Sequence, residues 1–261
     1  MLSRSLEKAR HAYKEKDIEA LRHAHDHHGD EPHKSDHGQY IKSAVYGGLD
    51  GIITTFAVVA GVAGASLSAG VVLILGFANL IADGLSMAIG DFLSTRAENE
   101  YKEAEYQREK WEFRNYPEGE KKEMIELYMA KGISEEDART IVDIIAKDEK
   151  AWLSIMLVEE LGLLYDLESP LKNALVTFVA FAIFGFVPLI IPLLNWMEPG
   201  MIPSAFISSA AITGLTLFIV GALKSKFTER HWFISGMEMF LVGSVAAAAA
   251  YGVGELLSGL A

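Results

Sequence analysis

Charge in this chain is segregated, and that segregation limits the possible folds more than any motif does. Residues 173–197 carry no Asp, Glu, Lys or Arg, and neither do residues 199–223. A run of that length, as a helix rising about 1.5 Å per residue, crosses a hydrocarbon core of about 30 Å. Three further apolar segments, about 43–67, 69–94 and 231–256, hold isolated acids: Asp50, then Asp83 and Asp91, then Glu238 and Glu255. In lipid, every backbone polar group must be satisfied within the chain. Five such segments therefore predict an all-α membrane protein with five transmembrane helices. Some 42 mainly polar residues precede the first, so it does not read as a cleavable leader. There is no cysteine, which excludes disulfides and thiolate metal sites.

Lysine and arginine set the expected orientation. Residues 1–42 hold eight and residues 96–170 hold eleven; Lys172, Lys224, Lys226 and Arg230 complete the set. The opposite connections, AGASLSAG and NWMEPGM, have none. The positive-inside rule puts the N-terminus and 96–170 in the cytoplasm and the C-terminus outside. The predicted organisation is a cytoplasmic N-terminal helix and His-rich tail (1–42), spans one and two (43–95), an acidic helical cytoplasmic insert (96–170) and spans three to five (171–261).

Span two continues without a breaker into the insert. Asn79, Asp83, Met87 and Asp91 recur every fourth residue, so they share one helical face. Two carboxylates, an amide and a thioether are poor lipid contacts. The acids suit a divalent cation, and the thioether tilts the choice toward a transition metal. Met87 alone would read as packing. Asp50 lies about two turns inside span one, where a carboxylate costs roughly 2.5–3.5 kcal/mol to insert. It needs a water-filled path or a partner pinning it between helices. Gly47 and Gly51 form a small-xxx-small pair, used either within a subunit or across a dimer.

The insert holds 11 basic and 20 acidic residues. The pattern predicts span two's helix reaching about Phe113, a break at NYPEG, and a helix over about 119–131 stopped by Gly132. A helix capped at Ser134 follows, then one over about 148–166. Glu105, Glu109 and Glu112 lie on the span-two extension, Glu120 and Glu123 on the next helix, and Met156, Glu159 and Glu160 on the last. These residues are either a divalent-cation site or a solvated acidic surface interleaved with Lys102, Arg108, Lys110, Lys121 and Lys122. Residues 1–22 predict an amphipathic helix. Six of the eight histidines, His23, His25, His27, His28, His33 and His37, fall in the next stretch. Their spacing fits no defined zinc site, which leaves accessory metal capture or a solvated tail. Glu238 is placed either to carry an ion or to pair with Lys224, Lys226 or Arg230. Span three, with Pro188 and Pro192, predicts a kinked scaffold helix.

YGGLDGIITTFAVVAGVAGA, ANLIADGLSMAIGDFLS and MLVEELGL resemble the vacuolar iron transporter family, from about Val45 to the C-terminus. The resemblance implies a homodimeric exporter of Fe²⁺, with Mn²⁺ or other divalent transition metals possible and H⁺ as the coupling ion. It implies no enzyme activity and no nucleic-acid partner. Asp50 and Met87 match the family's membrane carboxylate and methionine. Glu109, Glu112, Glu120, Glu123, Met156 and Glu160 fall where the ligands of its cytoplasmic domain belong. Leu157 stands where the pattern can offer a glutamate, with Glu159 as a substitute. A prokaryotic-type member with a His-rich N-terminus is expected, which would place it in the plasma membrane; a eukaryotic one would sit in a vacuolar-type membrane. The rivals are a membrane-anchored storage or di-iron protein and a metal sensor. The di-iron reading lacks the Glu-x-x-His pairs such bundles use.

Overall fold

All five apolar segments are helices in the computed structural model, which describes residues 11–13, 15–26, 37–228 and 230–260. No strand occurs among the described residues. The chain divides into two units, residues 1–42 and 43–261. In the first, the helix predicted over residues 1–22 is interrupted; residues 1–10 lie outside the described set. Lys16 takes a φ of 56°, a left-handed conformation that side chains disfavour. Asp17 then starts α1 (Ile18–Asp26) by accepting hydrogen bonds from the backbone N–H of Glu19 at 2.9 Å and Ala20 at 3.0 Å.

Span one is α2 (His37–Gly64). Span two opens α3 (Ala69–Asn115), one helix of 47 residues and so about 70 Å long. Its membrane half buries Gly76, Leu80, Gly84 and Ala88 and exposes Ile74, Ile81, Leu85 and Ile89, as a lipid-facing helix must. Phe56, Val59, Val62, Val72, Leu80, Phe181 and Leu189 form the membrane core. The Gly47–Gly51 pair is used within the subunit. A Cβ on either residue would lie under 3.0 Å from the backbone oxygen of Thr177 or Phe181 in span three. Gly254 meets the carbonyl of Gly61 equally closely, so spans one and five also touch backbone to backbone.

The predicted kink in span three is present. The span runs as α7 (Pro170–Phe186), a 3₁₀ turn (Val187–Leu189) and α8 (Ile190–Met197). Pro192 has no N–H to give the carbonyl of Pro188. Ser209 supplies the missing donor, its hydroxyl reaching that oxygen at 2.7 Å. Ser209 lies on α9 (Ala205–Thr228), which packs against α10 (Trp232–Leu257).

The insert is three helices folded onto the end of α3. α4 (Pro117–Ala130) starts on proline, which needs no N–H partner there. It stops at Gly132, whose φ of 93° suits only glycine. α5 (Glu135–Ile145) is capped by Ser134, and α6 (Glu149–Glu159) by Asp148, which accepts from Ala151 N–H at 2.8 Å. The pattern predicted that this last helix would reach Asp166. It ends earlier because Gly162 turns left-handed (φ 64°) and Leu163 N–H closes onto the Leu157 carbonyl at 2.8 Å. The following segment of chain lies along α3. Asn99 donates to the Glu168 carbonyl at 2.7 Å, Lys102 to the Asp166 carbonyl at 3.3 Å, and Tyr165 to Glu103. Met124, Val142, Trp152, Leu153 and Met156 make the insert's own core, with Tyr106 and Phe113 of α3 against it.

Candidate metal centre

Glu109 and Glu112 lie one turn apart on α3, and α4 brings Glu120 to them. One carboxylate oxygen from each lies within 4.8 Å of the others. Glu109 is fully buried and Glu120 is 7% exposed, so these are not members of a solvated acidic face. A buried carboxylate demands a partner. Arg108 is the nearest cation and reaches Glu109 at 3.0 Å, Glu105 at 2.9 Å and Glu112 at 2.9 Å. Yet both Glu109 oxygens lack an aligned hydrogen-bond donor. One guanidinium, itself partly in solvent, does not satisfy the group.

The electrostatics follow from that packing. Burial, then repulsion from Glu160, pushes Glu109 up to about 7 against the pull of Arg108. Burial, then Glu112 and Glu123, pushes Glu120 up to about 7 as well. Glu160 is raised by burial and by Glu123. Carboxylates that repel one another, with Glu109 lacking a donor, favour a divalent cation, a proton, or both in turn.

The other residues predicted for this site are distributed around it. Glu160 and Glu123 belong to its field. Glu105 is held in the Arg108 ion pair. Glu159 pairs with Lys131, outside the group. Leu157 is buried. Met156 is fully buried in the insert's apolar core, one turn before Glu160.

In the membrane, a cavity of about 1110 Å³ opens between α2, α3 and α10, with Asn79, Asp83 and Ser86 on its α3 wall. Asn79 donates to the hydroxyls of Thr54 at 3.3 Å and Thr55 at 3.5 Å, fixing span two to span one. Asp83 is among the charges acting on the half-buried Asp50. Met87 packs against the membrane core. Asp91 departs from this group: its carboxylate accepts the hydroxyl of Thr177 at 2.5 Å and that of Thr95 at 3.5 Å. Glu238 pairs with Arg230 at 3.7 Å. His23 is exposed, while His25, His27, His28, His33 and His37 fall outside the described side chains.

Sequence reasoning had counted Arg108 only among basic residues diluting the acidic face. Its spacing from Glu105, Glu109 and Glu112 was the available signal. Thr177 carries none, because threonine in an apolar span is ordinary.

Comparison with known proteins matches residues 41–255 to the VIT family. A vacuolar iron transporter of Toxoplasma gondii is 44% identical over 97% of this chain and 89% of its own length. One from Plasmodium falciparum is 35% identical over 98% of both chains. Vacuolar iron transporter 1 of Oryza sativa subsp. japonica is 31% identical, covering 90% of this chain and 92% of its own. These sources are eukaryotic and the family match begins at residue 41, after the His-rich tract, so the expectation of a prokaryotic-type, His-rich member is not borne out.

Proposed function

The chain belongs to the VIT family, and on that premise we propose that it exports ferrous iron from the cytosol by proton-coupled antiport, with Mn²⁺ as a second substrate. It is an integral membrane transporter of metal ions and not an enzyme. The observation that carries the finer reading is the trio Glu109, Glu112 and Glu120: Glu109 and Glu120 are buried, and Glu109 and Glu112 are mounted on the same helix as Asp83 and Met87, with Glu120 brought to them by α4. This acidic cluster, with Glu109 short of donors, gathers cations from the cytosol. Glu123 and Glu160 add charge to that field, and Met156 supplies a soft donor that favours Fe²⁺ over Mg²⁺ or Ca²⁺. Asp50, Asp83 and Met87, with Asn79 beside them, receive the partly dehydrated ion in the membrane. A carboxylate holds metal only when ionised, so protonation from the far side releases the ion there.

Positive-inside asymmetry supports a cytoplasmic insert and an external C-terminus. The cavity bearing Asn79 and Asp83 is open, not enclosed, and is lined by residues of the apolar spans. A carboxylate facing lipid is costly, which supports a homodimer in which the second copy covers it. The relatives' names support a vacuolar-type membrane. The test is Fe²⁺ flux into proteoliposomes with and without a pH gradient. Flux that needs the gradient and disappears in Asp50→Ala supports the proposal. Normal transport by Asp50→Ala overturns the path, and metal binding without flux returns the chain to the sensor or storage reading.

A further inference from the structure

Asp91 shares a helical face with Asp83 and Met87, but its carboxylate is already engaged. Thr177, fully buried on α7, donates to one oxygen at 2.5 Å, and Thr95 approaches the other at 3.5 Å. The network continues away from the membrane centre. Asn173, 3% exposed, donates to Thr95 at 3.1 Å and to the Glu168 carboxylate at 2.7 Å. A run of donors is thus bracketed by two carboxylates, and charge-assisted bonds of this kind are the stronger class.

The same threonine has a second neighbour. Its backbone oxygen sits against Gly47 of span one, so closely that a Cβ there would lie under 3.0 Å from it. Spans one, two and three therefore meet at Thr177. Gly47 is three residues from Asp50, and Asp91 is one turn from Met87. Whatever holds this junction also sets the register of Asp50 against Met87.

We propose that Asp91 is a positioning residue, which through Thr177 locks three spans at one level and so aligns the two membrane groups that receive the ion. This rests on the reading of Asp50 and Met87 as the path. An ion ligand at Asp91 would instead compete with Thr177 for the same oxygen.

The test uses the full chain in proteoliposomes with Fe²⁺ as the probe, comparing wild type, Asp50→Ala, Asp91→Asn, Thr177→Val, Thr177→Ser and the Asp91→Asn/Thr177→Val double variant. Thr177→Val replaces the hydroxyl with a methyl group of similar size. It removes the bond and Asp91→Asn removes the charge that strengthens it, and each raises the apparent KM for flux, by up to roughly tenfold, the scale of one hydrogen bond to a charge. Fe²⁺ binding at the insert stays within twofold, Thr177→Ser restores flux, and the double variant is no worse than either single one. A defect in Asp91→Asn with normal flux in Thr177→Val overturns the proposal, as do silent singles or additive losses in the double. Should the valine chain fail to fold, Thr177→Cys keeps the volume with a weaker donor and is expected to fall between Ser and Val; wild-type flux in that variant overturns the proposal too. Absent flux in wild type, or normal flux in Asp50→Ala, overturns the path reading instead and is seen in the same series.

Discussion

Proton competition at the insert gives the sharpest expectation. Glu109 and Glu120 both stand at about 7, against an ordinary 4.5. A metal ion must displace whatever protons they hold. For one group at about 7, the ionised fraction rises about eightfold between pH 6.0 and 7.5; for both together it rises about seventyfold. Two ordinary carboxylates would change by less than about 10% over that range. Fe²⁺ affinity of the full chain, measured anaerobically by titration calorimetry in detergent, should therefore strengthen by about seventyfold from pH 6.0 to 7.5, with proton release on binding. Glu109→Gln should bind more weakly and retain only about eightfold of the pH dependence. The stability linkage has the same origin. Both groups are raised, so their own contribution to the stability of the metal-free protein is fully present below about 4.5 and is lost as pH rises through about 7. A change in affinity of under about threefold would mean that these carboxylates are solvated like any others.

Three further expectations are independent of titration. Gly254→Ala forces a methyl against the Gly61 carbonyl and should cost about 1–3 kcal/mol in detergent unfolding, whereas Gly252→Ala, with nothing within 4 Å, should not. Met156→Leu keeps the buried volume, so stability should hold within about 1.5 kcal/mol. Its loss of the thioether should still weaken Fe²⁺ binding severalfold, and a leucine variant silent in both assays would make Met156 packing alone. Ser134→Ala removes the cap of α5 and should cost about 1 kcal/mol, read by thermal unfolding.

The membrane fold was legible because lipid leaves so few options: hydropathy marked the spans, and the prolines marked the kink. Ser134 and Gly132 likewise marked the insert's boundaries through local chemistry. Gly162 was missed as a helix stop because nothing nearby repeats the apolar period it interrupts. The site was only half legible. Spacing along α3 aligned Glu109 with Glu112, but nothing local states that α4 folds back and buries Glu109 and Glu120. That burial, a tertiary property, separates a cation site from a solvated face. Asp91 shows the converse. Its helical phase grouped it with Asp83 and Met87, while a threonine 86 residues away claims its carboxylate.

The length of α3 has a mechanical consequence. Met87 and Glu109 are 22 residues apart on one unbroken helix, about 33 Å. A tilt of about 5° about the membrane end would carry Glu109 roughly 3 Å, more than a metal–oxygen bond length of about 2 Å. α4 and α6 are folded onto the far end of that rod, so the three carboxylates would ride together or shear apart according to how far the helices follow. On the proposed path the helix would act as a lever arm, through which a small rearrangement around an ion in the bilayer would become a large displacement at the three carboxylates.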